Sequence, residues 1–306
     1  MTRIVSVIMP AFNMSKYISQ SIQSVMNQNF NNWELLIVDD GSEDSTADIC
    51  RLYEQIDGRI RFFSIKKSGV SAARNYAIER SRGDLLAFLD SDDLWLPNKL
   101  SVSVTEFEQE DQDLLFTNGY NFTDTSDLTK IHQLQKFPLH VGLFHGESGV
   151  KKFIKVNRVH TLTVLVKKDV VNKLGGFPPF RFGEDYCLWI LMLLSNYKLR
   201  GIDCALSLYR ERPESALHSE KKVFVQLFEV FKFIIQKHPD IIKHRKEFKN
   251  FLKLYITFDY EQTNKEQLRE MMETLRIKNP VVNHIFNLNK VLPERMVNKL
   301  SRTLLV

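Results

Sequence analysis

The sequence has few cysteines, no long apolar run and no glycine-rich phosphate loop, and each absence excludes a class of protein. Its three cysteines, Cys50, Cys187 and Cys204, are far apart and form no Cys-x-x-Cys pair, which argues against a disulfide framework or a zinc site and suits a reducing compartment. No apolar run approaches the roughly 20 residues that a membrane-spanning helix needs. Neither Gly-x-Gly-x-x-Gly nor Gly-x-x-x-x-Gly-Lys-Ser/Thr occurs, so dinucleotide-binding and P-loop proteins are excluded.

The excess of positive over negative charge is also small. The formal charge is +5 over 306 residues, which falls short of a nucleic-acid-binding signature even though basic residues are concentrated after residue 220. The amino terminus enters a strand-like run at residues 4–10 without the charged and apolar regions of a signal peptide. We therefore expect a cytoplasmic protein that binds no nucleic acid, and a peripheral contact with the inner face of the cell membrane stays open.

The composition is that of a globular protein. Hydrophobic residues make up 43% and charged residues 26% of the chain, close to globular averages. The length exceeds one typical domain, so we expect a main domain and a smaller appendage. After Ser219 the pattern changes to long amphipathic helices with basic faces. This predicts a main domain over residues 1–218 and a helical C-terminal extension over 219–306.

Short β-branched runs alternate with helical patterns through the first hundred residues, as in a parallel sheet with crossover helices. We predict strands at 4–9, 33–38, 61–65 and 85–89, and helices at 16–28, 45–55 and 71–81. Ligands of such sheets bind beyond the carboxyl ends of the strands. The polar loops that follow three of these strands should therefore line one cleft. They are Pro10-Ala11-Phe12-Asn13, Asp39-Asp40 and Asp90-Ser91-Asp92-Asp93.

The pattern is looser in residues 97–218. We predict a helix at 98–110 and strands at 114–118 and 161–166, followed by a turn at Gly175-Gly176-Phe177-Pro178-Pro179. Glu184-Asp185 then begins a strongly apolar helix. Without other information, two acids in that position are usually just favourable charges at a helix start.

The strongest signal is the apolar run of residues 85–89, which leads directly into the acidic cluster Asp90, Asp92 and Asp93. Carboxylates at the end of a buried strand offer hard oxygen ligands for Mg²⁺ or Mn²⁺, and either ion can hold a diphosphate. The alternative is that Asp92 or Asp93 caps a helix beginning near Leu96. Both interpretations stay open on this segment alone.

A second pair of acids, Asp39-Asp40, has its own simple alternative, a turn made with Gly41. Two such pairs favour a polar ligand site, because clustered like charges cost stability unless a cation or ligand compensates them. Between the third strand and third helix, Arg74 is placed to reach a phosphate or to form a buried ion pair with the acidic cluster. Either role puts it beside the ligand.

Taken together, these segments resemble the large inverting glycosyltransferase family 2. The resemblance rests on residues 6–13, 39–46, 69–75 and 90–93 and covers roughly residues 3–215. It implies an α/β protein of the GT-A fold, the nucleotide-diphospho-sugar transferase architecture, in which helices flank a Rossmann-like mixed sheet. Residues 1–96 would form the nucleotide-sugar half and residues 97–218 the acceptor half.

The resemblance also implies site residues. In the Asp-x-Asp element, Asp90 and Asp92 would contact the ribose and the metal with Asp93 close by, and which of the three binds Mn²⁺ or Mg²⁺ stays open. Arg210, in a Tyr-Arg strand typical of the family, would steady the leaving diphosphate, with a surface salt bridge as the alternative. The full donor set is Pro10, Ala11, Phe12, Asn13, Asp39, Asp40, Arg74, Asp90, Ser91 and Arg210.

In the second half, Glu184-Asp185 is similar to the family's Glu-Asp element. The resemblance makes Asp185 the general base, with Glu184 shaping the base or contacting the acceptor. Cys187 stands where relatives often carry another acid, so the acceptor contacts are less predictable. His218 is either a late metal or phosphate ligand or a solvated surface histidine.

The function that follows is the transfer of a hexose from a nucleotide-sugar to a hydroxyl of a saccharide or lipid-linked saccharide. The resemblance implies a UDP-sugar donor, because uracil is the commonest base in the family. No Gln-x-x-Arg-Trp element occurs, so we expect a non-processive enzyme of surface polysaccharide or glycan biosynthesis. The alternatives are a sugar-nucleotide pyrophosphorylase and a catalytically silent carbohydrate-binding or scaffold protein. The basic helices after residue 220 either pack on the main domain or rest on an anionic membrane.

Overall fold

A computed structural model describes residues 3–138, 141–212, 220–244 and 246–248. The chain divides into two compact units, residues 1–150 with 157–215 and residues 151–156 with 216–306. The expected boundary between residues 218 and 219 falls outside the described ranges, so it stays a prediction. His218 and most of the helical extension also lie outside them. No helix within the described ranges is long and apolar enough to cross a membrane.

The predicted strands and helices of the first 96 residues are confirmed to within a few residues at each end. The strands of the whole sheet are β1 Val5–Ala11, β2 Trp33–Asp39, β3 Ile60–Ser64, β4 Leu85–Phe88, β5 Leu94–Trp95, β6 Leu114–Phe122, β7 Gly142–Phe144, β8 Val164–Lys167 and β9 Leu199–Arg210. The helices are α1 Ile18–Met26, α2 Thr46–Ile56, α3 Val70–Arg80, α4 Lys99–Gln109, α5 Gly146–Lys155, α6 Lys168–Lys173, α7 Glu184–Leu194 and α8 Glu220–Lys237.

The strands form a single mixed sheet. Their order is β3-β2-β1-β4-β8-β6-β9-β5, and β7 pairs with β9 beside this path. β1 to β4 run parallel, whereas β8 runs antiparallel to both β4 and β6. β1, β2 and β4 are buried along their whole length, which explains why they appear in the sequence as continuous apolar runs. The predicted α/β architecture is confirmed.

The direction of β8 matters for the site. Because β8 is antiparallel to β4, its amino-terminal end lies at the carboxyl end of β4, where Leu165 pairs with Ala87. The strand predicted at 161–166 was wrong at its start: Thr161–Thr163 forms a 3₁₀ turn, and the strand begins at Val164. This turn lies at the same edge of the sheet as the acidic cluster.

The second unit is helical in its described part. α8 is followed by a 3₁₀ helix over Pro239–His244. The rings of Phe231 and Phe248 meet edge to face with centroids 5.2 Å apart. This unit therefore has an aromatic contact in a small core of its own.

Candidate functional site

The three polar loops of the first half do meet at one edge of the sheet. In the register of the parallel strands, Ala11 pairs with Asp39, and Ile8 pairs with Phe88. The amide of Leu89 also donates to the carbonyl of Ile8, at 3.1 Å. The carboxyl ends of β1, β2 and β4 are thus aligned, and the acidic cluster lies beside the loops after β1 and β2.

The loop after β1 is bonded to the loop after β2. Asn13 has a left-handed backbone, with φ of 53°, and its Oδ1 accepts the Glu43 amide at 2.9 Å. Asp39 is buried and accepts the Ser42 amide at 3.2 Å together with the Ser42 hydroxyl. The turn interpretation therefore describes part of what Asp39 does. The family resemblance also implies that Asp39 faces the nucleotide base, and this stays a prediction.

Three other expected donor residues lie in this corner. Pro10 and Ala11 are buried at the end of β1. Phe12 follows them, and the ammonium group of Lys67 lies 4.0 Å from its ring centroid. A cation over an aromatic face at the mouth of the cleft suits an anionic or planar ligand nearby.

Asp40 holds the loop that leads into α3. Its two carboxylate oxygens accept the amides of Ser68 at 2.6 Å and Gly69 at 2.8 Å. Gly69, with φ of 93°, immediately precedes α3. Asp40 therefore fixes where α3 begins, and through α3 it fixes the position of Arg74.

Arg74 links the two halves of the site. Its side chain is only 3% exposed and binds Asp90 at 2.8 Å through Nη2 and Glu184 at 2.6 Å through Nη1. Its guanidinium also lies 5.3 Å from the ring centroid of Phe177. Burial works against the charge, but Asp90 and Glu184 raise the pKa of Arg74. The buried ion pair expected for Arg74 is present, and it joins the end of β4 to the start of α7.

The acidic cluster does not cap a helix. The strand β5 follows it directly, and α4 begins only at Lys99, where no side chain caps the helix. Asp93 instead accepts the backbone amide of Arg210 at 2.8 Å, and Asp92 pairs with Arg212 at 2.7 Å. The helix-cap alternative was wrong because the segment after the cluster pairs with β9.

The members of the cluster differ in exposure. Asp90 has a side chain 40% exposed, whereas Asp93 and Ser91 are buried. Burial raises the pKa of Asp93 well above its usual range, and the charges of Asp92 and Asp90 raise it further. Burial and the neighbouring Asp90 raise the pKa of Asp92 as well. The carboxylates of the cluster therefore repel one another, and a bound cation would relieve this repulsion.

Arg210 is not a surface residue, so the surface salt bridge considered for it was wrong. It is 4% exposed and binds the Asp92 carbonyl at 2.7 Å, Asp124 at 2.5 Å and Gln20 at 2.6 Å. Each guanidinium nitrogen has a partner within the protein. Arg210 therefore holds the acidic loop in place, and nothing in the sequence pointed to Asp124 or Gln20 as its partners.

Asp185 is held by side chains that come from the turn before β8. Its Oδ2 accepts the Thr161 hydroxyl at 2.8 Å and the Asn157 amide group at 3.3 Å, and its Oδ1 accepts the Tyr186 amide at 2.6 Å. Asp185 remains partly exposed. Sequence reasoning missed Thr161 and Asn157, because neither belongs to a motif. These contacts go beyond a favourable charge at a helix start, since they fix the direction of the carboxylate.

Glu184 lies on the inner side of the same helix turn. It is buried, and burial raises its pKa to about 7 although the Arg74 guanidinium opposes the shift. The adjacent Asp185 raises it further. Glu184 therefore binds Arg74 and anchors the start of α7, while Asp185 beside it stays partly exposed.

Residues of β5 and α4 form hydrogen bonds with the turn before β8 and with the start of that strand. The indole nitrogen of Trp95 donates to the Leu162 carbonyl at 2.8 Å. Lys99 is fully buried, lies 4.9 Å from the Trp95 ring centroid and reaches the Val164 carbonyl at 3.4 Å. These contacts set the position of Thr161 and, through it, of Asp185.

The carboxylates of the acidic cluster fit a hard divalent cation that is shared with a bound ligand. Asp90 and Asp92 supply carboxylate oxygens from side chains that are 40% and 15% exposed. Within the described ranges no group of three or more His, Cys, Asp or Glu side chains is placed to hold a metal. Mg²⁺ typically binds through one or two carboxylates with water and substrate phosphates completing its shell. The residues present match that mode of binding.

Sequence comparisons identify the family. The sequence model of Glycosyl transferase family 2 matches residues 6–175. The chain is 31% identical to the putative teichuronic acid biosynthesis glycosyltransferase TuaG of Bacillus subtilis, over 77% of this chain and 90% of that protein. It is 32% identical to the UDP-Glc:alpha-D-GlcNAc-diphosphoundecaprenol beta-1,3-glucosyltransferase WfgD of Escherichia coli, over 71% of this chain and 81% of that protein.

Solved structures agree on the fold. Residues 1–349 of S. aureus TarS, in complex with UDP-GlcNAc, match with a TM-score of 0.67 and 16% identity over 89% of this chain and 79% of that one. The mannosyltransferase PcManGT from Pyrobaculum calidifontis, in complex with GDP-Man and Mn²⁺, matches with a TM-score of 0.60 and 16% identity over 98% of this chain and 84% of that one. The GT-A fold is confirmed, and the pyrophosphorylase and silent-protein alternatives are set aside. The chain belongs to glycosyl transferase family 2 and is a glycosyltransferase.

Proposed function

We propose that this glycosyltransferase transfers a hexose from a UDP-sugar to a hydroxyl of a saccharide or lipid-linked saccharide, with inversion and with a divalent cation. The observation that carries the proposal is the bridge made by Arg74, which binds Asp90 on one side and Glu184 on the other. Asp185 follows Glu184 directly. A donor held at the acidic cluster would therefore lie within reach of a base at the start of α7.

Asp185 is the proposed general base. Thr161 and Asn157 hold one of its oxygens, and this fixes the orientation of the carboxylate. A base must lie within one hydrogen bond of the acceptor hydroxyl whose proton it takes. With the base on the α7 side and the diphosphate on the β4 side, the acceptor oxygen would attack one face of the anomeric carbon and the diphosphate oxygen would leave from the opposite face. A single displacement then inverts the anomeric carbon.

The donor would occupy the edge formed by β1, β2 and β4. In this arrangement Asn13 and Asp39 lie on the nucleotide side, and Asp90 and Asp92 lie on the diphosphate side and hold the metal. A bound Mn²⁺ or Mg²⁺ supplies the positive charge that balances the leaving diphosphate. Arg210 acts indirectly by keeping the acidic loop in place. Asp93 is buried behind the loop and supports it.

The named relatives support the donor, the acceptor and the biological setting. WfgD is named for a UDP-Glc donor and a diphosphoundecaprenol-linked acceptor, and TuaG for teichuronic acid biosynthesis. The TarS structure contains UDP-GlcNAc, and the PcManGT structure contains Mn²⁺. A UDP-sugar donor, a lipid-linked acceptor and a role in surface polysaccharide assembly follow as the proposal.

The test compares Asp185→Asn with the matched control Asp169→Asn. Asp169 is also an acid in the first turn of a helix, but it is exposed and pairs only with Lys173, at 3.0 Å, in the contacts described. We expect D185N to lose at least about 100-fold in transfer rate, and D169N to stay within about twofold of wild type. The rates are measured as UDP release from a panel of UDP-sugars with undecaprenyl-diphosphate-linked acceptors.

Two further measurements complete the test. UDP binding by calorimetry should be similar in D185N and wild type, because the substitution removes the base and not the donor site. The anomeric configuration of the product, read by NMR, should be opposite to that of the donor. Equal turnover by D185N and wild type, or a retained configuration, would contradict the proposed mechanism.

A further inference from the structure

Arg212 lies two residues beyond the end of β9 and points back at the acidic cluster. Its Nη2 binds the Oδ2 of Asp92 at 2.7 Å, and the two side chains are 17% and 15% exposed. The Arg212 guanidinium also lies 5.4 Å from the ring centroid of Tyr17, and its Nε is buried and has no hydrogen-bond partner among the described residues. Arg212 is therefore bound to Asp92 through Nη2, and the rest of its guanidinium lies near the Tyr17 ring.

The neighbouring cations have other partners. Arg210 binds Asp124 and Gln20 through its two Nη atoms, and Lys16 binds Asp124 at 2.8 Å. Neither of these side chains ion-pairs with Asp92 in the described chain. The charge on the Asp92 carboxylate is thus balanced by Arg212, while Asp90 is balanced by Arg74 on the opposite side.

We infer that Arg212 is a positioning residue that acts as the internal counter-ion of Asp92, and that a divalent cation binds this carboxylate in competition with it. The inference rests on the metal use in the proposed function. A guanidinium nitrogen 2.7 Å from Oδ2 of Asp92 competes with a second cation for the charge of that carboxylate, because the two positive charges repel each other at short range. The pair keeps the half-buried carboxylate compensated until the metal and the donor arrive.

The competition predicts the sign of a change in metal affinity. Without Arg212, a divalent cation loses its competitor for the Asp92 carboxylate. Arg212→Gln should therefore bind Mn²⁺ about fivefold more tightly than wild type, the gain expected from one partly exposed ion pair. If Arg212 instead helped to form the metal site, the same substitution would weaken Mn²⁺ binding.

The experiment measures free Mn²⁺ by electron paramagnetic resonance, without nucleotide, on full-length wild type, R212Q, Lys16→Gln, Asp92→Asn and the R212Q/D92N double variant. K16Q removes the same charge from the same corner but leaves the pair with Asp92, so its affinity should stay close to that of wild type. D92N should bind weakly, and adding R212Q to D92N should change nothing further. Thermal unfolding checks that each variant is folded.

The outcomes separate this inference from the proposed function. If wild type binds Mn²⁺ and R212Q binds it equally or more weakly, the inference is overturned while metal use stands. Equal tightening in K16Q and R212Q would also overturn it, since the effect would then be general charge. If wild type binds no Mn²⁺ with or without UDP, both fail. Arg212→Lys, which keeps the charge and loses the guanidinium geometry, should tighten binding less than R212Q and serves if R212Q does not fold.

Discussion

The buried charged residues of this protein differ in whether a group of opposite charge lies beside them. Arg74 is matched by two carboxylates, those of Asp90 and Glu184. Lys99 is equally buried, yet among the described residues it has no carboxylate partner: it meets the Trp95 ring and one carbonyl oxygen. An unmatched buried ammonium is costly. Burial lowers the pKa of Lys99 to about 7.

This shift makes stability depend on pH in a defined direction. The lysine titrates near 10.5 when unfolded and near 7 in the native state, so between these values the unfolded chain binds more protons. The free energy of unfolding should therefore rise with pH across that window, by about 4–5 kcal/mol. Below pH 7 both states are protonated and this contribution is constant.

Lys99→Met should remove the slope and stabilise the protein at neutral pH, because a neutral side chain of similar length then fills the same space. Urea unfolding at pH 7, 8.5 and 10 measures the effect. The exposed Lys66→Met is the control and should keep the slope of wild type. Parallel pH profiles for K99M and wild type would show that Lys99 is paired or solvated in the native state.

The sequence locates the site residues that lie in local patterns and misses those that act across the fold. Asp90 follows an apolar strand, so a ligand site there could be inferred from its neighbours. The role of Asp185 came from the family resemblance and stays a proposal. Thr161 bonds Asp185 from 24 positions away, and Arg212 reaches back to Asp92 from the far end of β9. Such partners carry no local signal, because the sheet order brings them together.

At the level of elements, the turn between α6 and α7 is bonded to α3. The side chain of Asn75 on α3 accepts the Phe177 amide and donates to the Phe177 carbonyl, both at 2.8 Å. Gly176 directly precedes Phe177 and has φ of 77°, and a Cβ on Gly176 would be 2.5 Å from Asn75 Oδ1. The contact ties α3, which carries Arg74, to the segment that leads into α7.

Gly176→Ala and Gly175→Ala form a matched pair for testing this contact. Both glycines have positive φ, but a Cβ on Gly175 would meet nothing within 4 Å. We expect G175A to cost about 1 kcal/mol of unfolding free energy from backbone strain, and G176A roughly 3 kcal/mol because it also displaces Asn75. G176A should in addition lower the transfer rate, since Arg74 and Asp185 would shift relative to each other. Equal effects of the two variants would rule out the Asn75 contact as a support of the site.

The elements differ in how well the sequence predicts them. Of the four parallel strands of the first half, β1, β2 and β4 are buried along their length. All four alternate with helical patterns in the sequence, so local patterning was enough to predict them. β5 has only two residues and exists because Leu94 pairs with Leu208. β7, with three residues, likewise depends on pairing with β9. Strands this short are created by their distant partner, and no pattern in their own sequence indicates them.

At the scale of the whole molecule, the site is assembled within the first unit from segments that are far apart in the chain. The end of β4 supplies Asp90 and Asp92, the turn before β8 supplies Thr161, and the start of α7 supplies Asp185. Arg74 crosses between them. Because the proposed donor would contact several of these segments at once, its binding should stabilise the folded state as a whole and not one loop alone.

The stabilisation should require metal, and thermal unfolding can measure this. With UDP and Mn²⁺ at about 100 times the dissociation constant, linkage predicts roughly 2.7 kcal/mol of added stability, a rise in Tm of about 5–11 °C for a domain of this size. Chelation by EDTA should remove most of the UDP-induced rise, because the diphosphate would then face the carboxylates of the acidic cluster without a bridging cation. Asp92→Asn should reduce the rise with Mn²⁺ present, whereas D169N, outside the cleft, should keep it. A rise of equal size with Mn²⁺ and with EDTA would show that UDP is held without metal, and it would assign the balance of the diphosphate charge to the protein's own cations.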